Sequence, residues 1–88
     1  MIDELQAKEK LKSLGYSGIY KWCDPPGTYY DWHLHNEDEV RYILSGEITI
    51  GTEEKIYHLK EGDILEVKAK TKHWAKTEKG VCYLCGSK

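Results

Sequence analysis

What limits the fold of this chain most is how often it is interrupted. From Tyr16 onward, turn-forming clusters recur at Asp24-Pro25-Pro26-Gly27, Asn36-Glu37-Asp38, Ser45-Gly46, Thr52-Glu53-Glu54, Lys60-Glu61-Gly62-Asp63, Lys68-Ala69-Lys70 and Glu78-Lys79-Gly80. The segments between them are too short for helices and are rich in aromatic and β-branched residues. They read as about eight short strands, the pattern of an all-β sandwich or barrel. Ser45-Gly46 is expected to close a tight hairpin. Only residues 2–14 have helical spacing, with Ile2, Leu5, Leu11 and Leu14 on one side and Gly15 placed to end the helix.

Eighty-eight residues make room for one domain, residues 1–88. So small a domain buries only about 60–65% of its unfolded surface, and a closed barrel over residues 17–85 uses that surface well because it leaves no free edge. The formal net charge of −2 gives no footprint for nucleic acid, and no apolar run approaches a membrane span. The acidic, amphipathic N-terminus is unlike a secretory signal, so a cytoplasmic location is expected. Cys82-Tyr83-Leu84-Cys85 has the C-x-x-C form without a second pair. The three cysteines are expected to be reduced and in or near the core.

Chemistry concentrates after the prolines. On a strand over 28–35, Tyr29, Asp31, His33 and His35 share one face by alternation. Glu39 follows one short turn later, with Arg41 and Ile43 on its side of the next strand. His73 comes from a distant strand and would join them only in a closed fold. Three imidazoles and a carboxylate suit Fe, Ni, Mn, Co, Cu or Zn as divalent ions, with coordination positions left open. Arg41 is expected to point inward, paired with Glu39 or Asp31 or with an anionic group on a small ligand. Tyr29, Asp31, Ile43, Ile48 and Ile50 are candidates to line the interior. Asp31 is further a candidate to orient a histidine or to serve as a base. Trp32, Trp74, Tyr30 and Tyr42 fall on the outward face, which implies a covering layer or a homodimer. His58 has no companion at ligand spacing and reads as a surface residue.

Gly27, five residues, His33-x-His35, three residues, Glu39, six residues and Gly46 resembles the first motif of the cupin superfamily. Gly62, with His73 downstream, resembles the second, although Lys68 and Lys70 stand where that motif has Pro and Gly. The resemblance implies a small double-stranded β-helix, or jelly-roll, barrel of the RmlC-like kind. It also implies metal ligation by His33, His35, Glu39 and His73. His33 to Leu44 further resembles the signature of acireductone dioxygenases, in which the histidines and glutamate bind Fe or Ni and the arginine lies by the substrate. This implies a metal-dependent dioxygenase- or isomerase-type enzyme with Arg41 as a substrate contact. A non-catalytic metal- and ligand-binding domain, as in a sensor or storage protein, is the alternative.

Overall fold

The computed structural model describes residues 2–88. It contains one helix, α1 (Glu4–Ser13), and seven strands: β1 (Ser17–Asp24), β2 (Tyr29–His33), β3 (Glu39–Thr52), β4 (Ile56–Lys60), β5 (Ile64–Val67), β6 (His73–Lys76) and β7 (Val81–Ser87). Every strand pair is antiparallel. The fold is the expected all-β jelly roll with one short N-terminal helix.

Seven strands replace the expected eight because Ser45-Gly46 does not make a hairpin. β3 runs through it as one strand of 14 residues. A register shift between Ile43 and Ser45 bends it there, and Gly46 adopts φ +75°. A side chain at Gly46 would collide with the Gly80 carbonyl oxygen. The bend lets β3 serve both faces of the barrel. Its first half lies between β7 and β5, and its second half between β6 and β4. The path β1-β7-β3-β6-β2 leaves β1 and β2 as its two ends.

Apolar residues sort to the two sides of β3 and β7. Ile43, Ile48, Ile50, Leu59, Ala75, Val81, Tyr83 and Cys85 fill the interior. Val40, Leu44 and Leu84 point the other way and are covered by Ala7 and Leu11 of α1 together with Tyr16. The helix is started by Asp3, whose carboxylate accepts from the Leu5 and Gln6 N–H groups. Of the expected face of Ile2, Leu5, Leu11 and Leu14, Leu11 is fully buried, but Leu5 and Leu14 are 68% and 47% exposed. Ala7 and Leu11 are one turn apart, and Leu5 is rotated about 200° from Ala7.

The cysteines also depart from expectation. Cys23 and Cys82 face each other across β1 and β7 and form a disulfide, with Cα atoms 4.1 Å apart. Only Cys85 is free, and it is buried. Alternation does separate Cys82 from Cys85, but the partner of Cys82 lies 59 residues away, where spacing within one strand carries no information.

Candidate metal centre

β2 and β6 bring two of the histidines together directly, since His33 and His73 are register partners. His35 joins from the segment following β2. The three rings have centroids 4.2, 5.0 and 5.1 Å apart, and one ligand atom from each lies within 4.8 Å of the others. Each Nδ1 is engaged away from the cluster. His33 Nδ1–H donates to the Asp31 carbonyl at 2.7 Å and His73 Nδ1–H to the Thr71 carbonyl at 2.9 Å, while the Glu39 carboxylate lies 3.4 Å from His35 Nδ1. A carbonyl only accepts, so the hydrogen is fixed on Nδ1 of His33 and His73, and the carboxylate favours the same tautomer in His35. Each ring is left with an Nε2 lone pair to offer. His35 Nε2 is buried without any hydrogen-bond partner, an arrangement that is costly unless something binds there.

Burial and neighbouring charges favour the neutral form of His35 and His73. Burial lowers the pKa of His35 below the ordinary imidazole range; Arg41 and His33 add to this, and Glu39 opposes it. Burial likewise lowers His73, reinforced by His33, His35 and Arg41 and opposed by its hydrogen bond to Thr71. Neutral imidazoles with converging lone pairs are the form that binds a divalent transition metal, so the donor set fits such an ion.

Glu39, the expected fourth donor, is not in this group among the described residues. Its Oε1 lies 3.1 Å from Arg41 Nη2 and its Oε2 faces His35. Arg41 points inward as expected, also donates to the Val40 carbonyl, and lies with its guanidinium carbon 5.7 Å from the Tyr83 ring centre. Once buried, Arg41 competes for the carboxylate that spacing alone assigns to the metal.

The histidines open onto a pocket of about 400 Å³, lined by Tyr20, Trp22, Tyr30, Arg41, Ile48, Tyr83 and Cys85 among others. Ile48 is on its wall, as expected. Ile43 is in the interior as expected, fully buried in the core and not on the pocket wall. Tyr29 and Asp31 are misplaced by simple alternation. Tyr30 pairs with Ala75 and His33 with His73, so β2 spends one residue more than β6 between the same two partners. This bulge turns Tyr30 inward with His33 and sends Tyr29 and Asp31 outward. There the Asp31 carboxylate accepts from the Trp32 N–H and the Tyr29 hydroxyl. Asp31 does orient His33, through its backbone carbonyl.

The altered loop after β5 braces the site. Lys70 is the one non-glycine at positive φ among the described residues, at +66°, which explains why a glycine suits this position. Its N–H donates to the His35 carbonyl and its ammonium to the Asn36 side chain. His58 is a surface residue hydrogen-bonded to Thr49, in an outer groove away from the cluster.

Alternation along β2 and β3 missed the far wall of the pocket. Tyr20 and Trp22 come from β1, and Tyr83 and Cys85 from β7. Behind them lies Asp24, 5% exposed. The one available signal was an acidic residue ending an aromatic strand, Tyr20-Lys21-Trp22-Cys23-Asp24.

A family model described as a cupin domain matches residues 20–85. Among curated proteins, acireductone dioxygenase of Stenotrophomonas maltophilia (strain K279a) is 31% identical over 83 residues, covering 83% of this chain and 44% of that protein. The acireductone dioxygenase of Acidiphilium cryptum is 41% identical over 46 residues, 48% of this chain and 26% of that one. The chain therefore spans less than half the length of these relatives. Among solved structures, a DMSP lyase from Ruegeria pomeroyi DSS-3 superposes with a TM-score of 0.74 at 26% identity, covering 80% of this chain and 36% of that one. A cupin superfamily protein from Desulfitobacterium hafniense DCB-2 gives 0.73 at 22%, covering 78% and 63%.

Proposed function

The chain belongs to the cupin family, and from that premise we propose that it is one cupin domain holding a divalent transition metal on His33, His35 and His73. The pocket beside the ion takes a small organic ligand with an anionic group, and the protein acts on it as a metal-dependent enzyme of dioxygenase or isomerase type. One observation carries this reading: three imidazoles engaged through Nδ1 elsewhere, with the His35 Nε2 buried and unpartnered. The similarity to acireductone dioxygenases supports the reaction class, and its partial coverage leaves their substrate as one candidate among small enediols and acids.

When bound, the ion would act as a Lewis acid or redox centre. The chain's own part can be read residue by residue. The Asp31 and Thr71 carbonyls aim His33 and His73, and Glu39 holds His35 and Arg41. Arg41 keeps N–H groups for a ligand's anionic end after those spent on Val40 and Glu39. A non-catalytic sensor or storage domain would use the same contacts.

Exposed aromatics on β2 outside the pocket, Tyr29 at 58% and Trp32 at 49%, support assembly as a homodimer. No helix is long and apolar enough to cross a membrane. We place the protein in the cytoplasm. A disulfide there is typical of hyperthermophiles, which the single Asn, single Gln and many Lys and Glu would suit.

The test is metal content of tag-free protein. We expect about one ion of Fe, Ni, Mn, Co, Cu or Zn per chain, lost in His33→Ala. Metal retained at full stoichiometry in that variant would refute the site. Oxygen uptake with Fe(II) and a panel of enediols and β-diketones then separates the enzyme from the binding domain.

A further inference from the structure

Asp24 is a buried carboxylate that the metal centre does not use. It ends β1, directly after the cysteine that ties this strand to β7. Its Oδ1 accepts from the Trp22 indole N–H at 2.9 Å and from the Tyr30 hydroxyl at 2.5 Å, and its Oδ2 accepts from the Tyr83 hydroxyl at 3.0 Å. Among the described residues no ion pair is made to it. All three donors belong to residues of the pocket wall.

The consequence follows from hydrogen-bond inventory. An indole N–H can only donate, and a carboxylate ringed by donors is satisfied as the anion. The phenol hydrogens of Tyr30 and Tyr83 are therefore committed to Asp24. What these two residues can still offer a neighbour is oxygen lone pairs. Arg41, which has only hydrogens to give, lies beside the Tyr83 ring, its guanidinium carbon 5.7 Å from the ring centre. Donors on Arg41 and acceptor oxygens on Tyr30 and Tyr83 thus belong to one pocket.

We propose that Asp24 sets the specificity of the pocket. By consuming the phenol hydrogens it leaves Tyr30 and Tyr83 able only to accept, so the occupant is a small organic acid that also carries a hydroxyl donor. The carboxylate goes to Arg41 and the hydroxyl to the phenol oxygens. Asp24 itself touches no ligand; it is a positioning residue acting through Tyr30 and Tyr83. The inference rests on the pocket beside the histidines being the ligand site.

Paired probes test it: glycolate, lactate and 3-hydroxypropionate against acetate and propionate, followed by calorimetry or by Trp22 fluorescence. Titrations are run on the protein as purified and again after chelator treatment, because a hydroxyl that merely chelates the metal loses its advantage in the second arm. A hydroxy acid should bind roughly tenfold more tightly than its parent acid in both arms, the worth of one buried hydrogen bond. Asp24→Asn, which replaces one acceptor oxygen with a donating NH2 and so frees a phenol hydrogen to point into the pocket, should reduce this ratio. Tyr30→Phe, at a partly exposed position, should reduce it even if Asp24→Asn folds poorly. A purely structural Asp24 would weaken both members of each pair alike and leave the ratio unchanged, which overturns the proposal. So does a preference confined to the metal-loaded arm, or the failure of every probe to bind. Because the ratio is read without metal as well as with it, loss of the metal site and loss of this inference are separate results.

Discussion

At the level of single residues, the candidate centre depends on groups outside the histidine cluster. Two of its three histidines are aimed by backbone carbonyls two residues upstream, and the third by a carboxylate four residues downstream. Glu39 is the most informative of these groups, because spacing nominates it as a ligand and geometry occupies it with Arg41 and His35. As a brace, its loss should weaken metal binding by about 10–100-fold, the usual cost of removing an outer partner of a ligating histidine. Glu39→Gln is therefore expected to keep the fold and bind metal with an affinity reduced by that factor, measured by competition with a chromophoric chelator. A loss as complete as in His33→Ala would instead make Glu39 a direct donor.

At the level of elements, the jelly roll and the three-histidine cluster were legible, and the reasons the rest was not are local. Turn punctuation located β4, β5, β6 and β7 to within a residue or two. Motif spacing located His33, His35 and His73. Alternation then failed wherever a strand stops counting in twos. The bulge in β2 exchanged Tyr29 and Asp31 for Tyr30, and the bend in β3 erased a hairpin. Both irregularities depend on pairing with strands distant in sequence, which a single strand's pattern does not contain. The β3 bend is also the element the barrel can least afford to lose. Gly46 combines φ +75° with close approach of the Gly80 backbone. Left-handed backbone alone costs a residue with a side chain about 1–2 kcal/mol, and the collision adds to this. Gly46→Ala should lower the unfolding free energy by about 3 kcal/mol or more in urea titration. A loss below about 1 kcal/mol would mean that β3 and the Gly80 turn relax around a side chain.

At the level of the whole molecule, size sets the terms. A chain of 88 residues has a small core, and here it is divided between the barrel interior and the layer under α1. β1 is an end strand, held along one edge by β7, yet it carries Tyr20 and Trp22 of the pocket wall and Asp24 behind them. The disulfide between Cys23 and Cys82 compensates for that exposed position. It closes a separation of 59 residues, for which the loss of unfolded-chain entropy corresponds to about 4 kcal/mol of stability. For a domain whose total is on the order of 5–15 kcal/mol, that is a large share. Urea unfolding with and without a thiol reductant should therefore differ by roughly 2–5 kcal/mol, and a Cys23→Ser, Cys82→Ser double variant should match the reduced protein and be indifferent to reductant. The pocket should respond before the fold does, because the residue after Cys23 is Asp24. Under reductant, in urea too dilute to unfold the chain, Trp22 fluorescence should shift as its indole loses the Asp24 hydrogen bond. Equal stability in both redox states would show that β1 is held by its ladder and by the Asp24 contacts alone.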